Sequence, residues 1–479
     1  MEKEISGRLV AKNIAMSVIV QAISMVIGFI VNLVVPKFLN PYDYSYWQTF
    51  LLYAQYVGLL HFGLIDGIVL RYSQYDYLEL DKKSIRSQYY IIMSIDFFLA
   101  LILSTCGFFY FNGVIRILCV LLSVTIFSEI TYNYVLVALQ ITNRINKYAI
   151  YVIVYRCIYC LLILVILFFG FGEFYWYCIA YILADFLGVI IIGLRYNKEL
   201  FIGSLLPFNK VFLELKKTLS SGIKLTIASY SANLVVGLGK MIIQWKWDAL
   251  IFGKISLAYS LTNFVLQFVT AISVVLFPSL KRMSPKRLPS MYLNIRNSIS
   301  PLLIFVMMLY FPGCYLLELW LPKYVDSITY LGILFPIIFF TSKVSLLTNN
   351  YLNAYRKEKE LLRINICTVI ISFFVFIIIS NFFHSLTLFL IAVVVAIACR
   401  SIVSEFVIMK IININVKSDI FIEIIICSIF IVCTILPNRI EGQIIYLIAL
   451  LSYFFIKRKN IISLFQTIKT KIKKERGTI

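Results

Sequence analysis

Fourteen apolar runs follow one another along this chain, each about as long as a bilayer is thick, with short polar breaks between them. A helix needs ~20 mostly apolar residues to cross the ~30 Å hydrocarbon core of a membrane. Inside that core a chain must satisfy its own backbone, which leaves only helices and closed barrels. The runs are continuous rather than alternating, so an outer-membrane barrel is excluded. Spans are predicted at about 13–35, 46–70, 88–111, 114–138, 148–170, 174–194, 219–241, 253–278, 298–320, 328–350, 362–383, 386–409, 419–436 and 441–456. The seventh is the least regular, because Lys224 interrupts it. Composition points the same way. Hydrophobic residues make up 61% of the 479 and charged residues 14%, against ~45–50% and ~25% in soluble chains. The expected fold is therefore all-α, a polytopic membrane protein of about fourteen transmembrane helices.

The formal net charge is +21, from 44 Lys and Arg against 23 Asp and Glu. In a soluble chain that excess would point to nucleic acid. Here the basic residues fall in alternate breaks. Thirty-three lie in the breaks on the side of the N-terminus, including Lys82, Lys83, Arg86, Lys281, Lys286 and the tail from Lys457 to Arg476. Only seven lie in the others: Lys37, Arg116, Lys240, Lys246, Lys254, Lys323 and Arg439. This asymmetry is the positive-inside signal. It places both termini in the cytoplasm of a cytoplasmic (inner) membrane protein, requires an even number of spans, and removes nucleic acid from the possible partners. The start, MEKEISGRLVAK, carries no cleavage site and reads as a cytoplasmic leader.

The longest inner connection, about 195–218, divides the chain. The expected organisation is an N-terminal six-span lobe over 1–205, a C-terminal six-span lobe over 206–415, an extra two-span hairpin over 416–457 and a basic cytoplasmic tail over 458–479. Six plus six is a transporter layout. In the tail, Ile461, Leu464, Phe465, Ile468 and Ile472 share one helical face opposite basic residues. That pattern is an interfacial helix on anionic membrane lipids, or else an unstructured basic tail.

Charge within a span costs ~2.5–3.5 kcal/mol on insertion scales, so such residues face a cavity or a partner. Arg156 and Arg400 lie near the middles of their spans, Lys343 deeper in the inner half of its own, and Lys224 close enough to an end to snorkel. Arg71 ends the second span. These five are the candidate substrate-binding residues, Arg offering a bidentate fork to phosphate. Among the in-span acids, Asp66, Glu129 and Asp185 are the candidates for a coupling proton or ion. The competing reading is internal pairing: Asp66 with Arg71, Asp185 with Arg156, Glu405 with Arg400. Tyr44, Tyr46, Trp47, Trp176, Trp245 and Trp247 lie near predicted outer ends, as an interfacial belt or as sugar contacts.

Chemistry of other kinds finds no footing. Cys157 and Cys160 form a CxxC inside an apolar run with no second pair, and the only histidines are His61 and His384, so neither a metal site nor a cofactor is expected. No GxxxxGK[ST] loop is present. The predicted outer loops are short, which argues against an enzyme acting on that side.

The run GLLHFGLIDGIVLRY (58–72) resembles the second span of Wzx-type lipid-linked oligosaccharide flippases, members of the multidrug/oligosaccharidyl-lipid/polysaccharide exporter superfamily. KFLNPYDYSYW before it, and FGKISLAYSL to VVLFPSLKRM over 252–283, resemble the same family. The resemblance implies a V-shaped pair of six-helix lobes plus a C-terminal helix pair. It implies a flippase that carries undecaprenyl-pyrophosphate-linked oligosaccharide repeat units to the outer leaflet for O-antigen, capsule or other surface polysaccharide, with a polysaccharide polymerase and a chain-length regulator as further partners. It puts Arg71 at the inner mouth of the cleft. Many of the family carry an Asp-Arg pair near the end of the seventh span, where this chain has Gly239-Lys240. Two other functions stay open: a drug/cation antiporter of the same superfamily, and a polytopic polysaccharide polymerase or ligase.

Overall fold

With no water to bond to, each apolar run closes its hydrogen bonds within itself. In the computed structural model the chain is accordingly helical almost throughout. The described residues are 7–142, 144–281, 283–284 and 286–476, and no strand occurs among them. Among them, twelve helices are long and apolar enough to cross a membrane, and two bent pairs raise the number to as many as fourteen. The chain divides into two compact units, Met1–Gly253 and Lys254–Ile479.

The first unit opens with α1 (Gly7–Phe29), which runs on through a π turn to Phe38. Pro41 then starts α2 (Pro41–Val57), where the Asn40 side chain accepts from the Asp43 amide at 2.8 Å. After α3 (Leu64–Tyr72) come α4 (Lys82–Tyr110), α5 (Gly113–Ile141) and α6 (Ile145–Phe168). Next is α7 (Phe174–Gly188), prolonged by a π turn into α8 (Leu194–Phe201), and then α9 (Phe208–Lys246). The second unit takes most of α10 (Ala249–Lys281), then α11 (Leu288–Met308), α12 (Tyr310–Trp320), α13 (Val325–Leu334) and α14 (Pro336–Lys343). A π turn leads to α15 (Asn349–Ala354), followed by α16 (Glu358–Phe382), α17 (Leu386–Ile412), α18 (Lys417–Ile435) and α19 (Arg439–Arg476).

By contact, the seventh span groups with the first unit, where α9 packs along α3 through facing glycines. Helices α18 and α19 group with the second unit, tied in by ion pairs described below. One expectation changes here. Tyr44 and Trp47 are fully buried in the first unit, edge to face at 5.8 Å, so neither forms an interfacial belt or meets a sugar. Trp245 is 72% exposed. The expected amphipathic face of 458–479 rests on side chains past Arg458 that lie outside the described residues.

Candidate functional site

The second crossing is broken. Phe62 and Gly63 take left-handed backbone angles, φ 49° and 93°, and the helix bends by 52° between Pro41–His61 and Leu64–Tyr72. Phe62 bears a strain that glycine does not. The bend brings α3 against α9 so closely that backbone meets backbone. A Cβ on Gly67 would lie 2.1 Å from the Thr218 carbonyl oxygen, and one on Gly222 would lie 2.0 Å from that of Gly63. The glycines of the GLLHFGLIDG run are thus explained by packing.

Polar side chains along this seam are bonded, His61 within its own segment and Asp66 and Arg71 across to α9. The His61 Nδ1 accepts from the Gly63 amide at 3.0 Å. The Thr226 hydroxyl donates to Asp66 Oδ2 at 2.5 Å. Arg71 does not take Asp66. Its guanidinium donates to Glu214 Oε2 at 2.6 Å, to the Glu214 carbonyl at 3.0 Å and to the Thr218 hydroxyl at 2.5 Å. Arg71 therefore fastens α3 to the start of α9. Lys224, also on α9, is exposed between exposed Ile223 and Leu225.

Deeper in the first unit lies a second group. Glu129 on α5 accepts from the Tyr181 hydroxyl and from Asn133 Nδ2, both at 2.9 Å. Asp185 on α7 is fully buried. Its Oδ2 accepts from Ser128 at 2.9 Å, while its Oδ1 has no partner. Tyrosines wall the pair in: Tyr132 stacks on Tyr151 at 5.1 Å and meets Tyr155 at 4.6 Å, and Tyr159 meets Tyr181 at 5.9 Å. Tyr132 lies within electrostatic reach of Glu129, Asp185 and Arg156 together. The expected Asp185–Arg156 ion pair is not formed. Arg156 is half-buried on α6 and makes no hydrogen bond or ion pair among the described residues. Glu129 and Asp185 thus stand together behind tyrosine rings, and Arg156 is within electrostatic reach of one of those rings, Tyr132.

The second unit holds a closed network of charge. Arg296 donates to Glu405 Oε1 at 2.6 Å, Glu423 Oε2 at 3.0 Å and Asp419 Oδ2 at 3.2 Å. Lys343 Nζ lies 2.5 Å from Glu405 Oε2 and 2.7 Å from Glu423 Oε2. Lys457 closes on Asp419, and the Tyr292 hydroxyl donates to Glu405 at 3.2 Å. Three cations balance three carboxylates across α11, α14, α17, α18 and α19. This corrects the expected Glu405–Arg400 pair, since both Glu405 oxygens are taken by Arg296 and Lys343. It also sets Lys343, expected to hold substrate, inside the packing of its own unit, 3% exposed. Arg400 is half-buried on α17.

The candidates therefore separate. Arg71, Arg156, Lys224, Asp66, Glu129 and Asp185 belong to the first unit, and Lys343 and Arg400 to the second. Two further cations stand out. Arg296, on α11, is the hub of the buried network. Lys240 was counted with an outer break yet sits on α9 over the Phe252 ring at 5.7 Å, with no hydrogen bond or carboxylate among the described residues. Its place after Gly239, inside a continuous apolar stretch, is the signal that marks it. Among the described residues no group of three or more His, Cys, Asp or Glu is placed to hold a metal.

No family model matches the chain, and no curated protein matches it. Solved structures do. An inward-facing multidrug resistance MATE family transporter of the MOP superfamily superposes with a TM-score of 0.60 at 14% identity, over 81% of this chain and 94% of that one. A MATE protein in complex with MaL6 gives 0.53 at 14% identity, over 84% and 96%. The lipid II flippase MurJ, in an inward closed conformation, gives 0.66 at 12% identity, over 94% of this chain and 100% of that one. At such identities the likeness is one of fold, and it extends over nearly the whole chain: this is a multi-pass, all-helical protein with the fold of the MOP superfamily transporters.

Proposed function

We propose that this protein is a flippase for a lipid-linked anionic oligosaccharide, carrying undecaprenyl-pyrophosphate-linked repeat units from the inner to the outer leaflet of the cytoplasmic membrane for surface polysaccharide synthesis. The observation that carries the reading is Arg156. It is a guanidinium at mid-span with no carboxylate bonded to it, in a fold shared with a lipid II flippase over the full length of that protein. Such a group is costly in a membrane unless an anion comes to it, and its planar fork suits pyrophosphate. Arg400, near the middle of α17, is assigned a further phosphate contact in the second unit, with Arg71 at the end of α3 and Lys224 near the middle of α9. Lys343 contributes by holding its unit together. Both termini face the cytoplasm in this reading, as the basic residues require. A polymerase and a chain-length regulator would take the product onward.

Coupling is assigned to the first unit. Glu129 and Asp185 form a carboxylate pair with one unpartnered oxygen, the arrangement that exchanges a proton or a sodium ion, while Asp66 is engaged by Thr226. The same acid pair walled by tyrosines is what favours the second reading, an organic-cation antiporter, because aromatic faces attract desolvated cations. Deleting the gene and locating the lipid-linked oligosaccharide separates the two. Accumulation on the inner leaflet supports the flippase. Unchanged export together with lost drug resistance supports the antiporter.

A further inference from the structure

Helices α16 and α17 run antiparallel, joined by a short turn, and between them lies a trough of about 670 Å³. Its floor is made of small side chains: Thr368 and Ser372 on α16, Ala392 and Ala396 on α17. Its walls are Ile371, Val375, Val395 and Val403, all exposed. Both helices are membrane spans by length and hydropathy. The lining runs from Ile364 to Phe383 on α16. At ~1.5 Å per residue that is roughly 28 Å, close to the whole ~30 Å hydrocarbon core and about twice one leaflet.

The two ends of the trough differ in charge. Next to Ile364 stand Arg356, Lys357, Lys359 and Arg363 against Glu358 and Glu360, a net positive end. The far end, 383–388, carries no Lys, Arg, Asp or Glu. An apolar slot longer than a leaflet, with cations at one end, fits one kind of molecule better than others: a long single chain with an anionic headgroup. A phospholipid acyl chain occupies only one leaflet.

We propose that this trough seats the isoprenoid tail of the substrate, with its pyrophosphate toward the basic end at 356–363. This rests on the flippase reading and adds a tail site to it. The molecule supplies its own reporters, because Cys367 and Cys399 line the trough and are exposed, while Cys106 and Cys157 are exposed on the first unit. The full-length protein in detergent is alkylated with a maleimide, and labelling rates are read at each cysteine by mass spectrometry. The additions are a long-chain polyprenyl pyrophosphate or dioleoylphosphatidylglycerol.

At a probe concentration about ten times its Kd, only about a tenth of sites stay free. Labelling of Cys367 and Cys399 should then slow about tenfold with the polyprenyl pyrophosphate and hold steady with the phospholipid. Cys106 and Cys157 should keep their rates throughout. Equal protection by phospholipid overturns the proposal in favour of ordinary boundary lipid. Protection that follows protein concentration without any addition overturns it in favour of a second copy of the chain. If the pyrophosphate shifts the thermal midpoint of the protein yet protects neither cysteine, the tail site is wrong and the flippase reading stands. If it does neither, both fall.

Discussion

Replacing Glu423 with Gln tests whether the charge network of the second unit is a structural clasp. Glu423 is 1% exposed and accepts from both Arg296 and Lys343, each nearly fully buried. The six ionic side chains sum to zero. Glu423→Gln leaves three cations facing two carboxylates in a largely buried network. Removing one partner of a buried pair costs about 3–5 kcal/mol, mostly from the stranded opposite charge. At about 2–4 °C per kcal/mol for a unit of this size, the thermal midpoint should fall by roughly 6–20 °C. Lys343→Met alone should do the same, since it leaves a carboxylate in excess. The double variant Lys343→Met/Glu423→Gln restores neutrality and keeps the volumes, so it should be markedly more stable than the two single losses added together. The assay is the unfolding midpoint of the full chain in detergent, read for the four members of the cycle. Single variants within experimental error of the parent, or losses that simply add, would refute the clasp and return Lys343 to the list of groups available to substrate.

Four more outcomes are expected. Gly222→Ala or Gly67→Ala should lower stability by about 1–3 kcal/mol, since the new methyl meets backbone at about 2 Å; a midpoint equal to the parent's would show the seam is looser than described. Arg156→Ala should stop export while leaving membrane insertion intact, and Arg156→Lys should restore only part of it, because the bidentate fork is lost; normal leaflet distribution in the Ala variant removes Arg156 from the pathway. Reporter fusions after Lys37, Lys254 and Lys323 should lie outside and those at Lys83, Lys286 and the C-terminus inside; an external C-terminus breaks the even span count. In proteoliposomes, Glu129→Gln and Asp185→Asn should abolish dependence on an imposed ion gradient; full gradient dependence in both variants moves coupling elsewhere.

Most of the helical pattern was legible because the membrane imposes one rule, that the backbone be satisfied within apolar segments of fixed minimum length. That rule is local and is visible in a single sequence. Where the expected spans failed in detail, the cause was not local. The run 46–70 has no charged break that would split it, yet the helix bends at Phe62 and Gly63 because α9 lies across it. Likewise nothing in 206–253 announces which half it joins. Gly63, Gly67 and Gly222 decide this by allowing two backbones to touch, and facing glycines on distant segments carry no mark in the sequence that they are meant for one another.

The in-span charges show the same limit more sharply. Lys343 and Arg156 look alike in sequence, each a lone cation in an apolar run. In the structure Lys343 has Glu405 and Glu423, while Arg156 has tyrosines within reach, Tyr132 and Tyr148, and no carboxylate bonded to it. Spacing rules could not separate the two, because the partners of Lys343 lie 62 and 80 positions away. Pairing rules drawn from one helix pointed to the wrong mates, Arg400 for Glu405 and Arg71 for Asp66. The distinction matters for mechanism. A cation whose charge is already balanced inside a packed unit cannot attract a pyrophosphate without first breaking that balance, at a cost of several kcal/mol. A cation left without a carboxylate has its strongest interaction still to make. The search for the substrate path therefore starts at Arg156 and at Lys240, which also has no carboxylate bonded to it, before any member of the buried network.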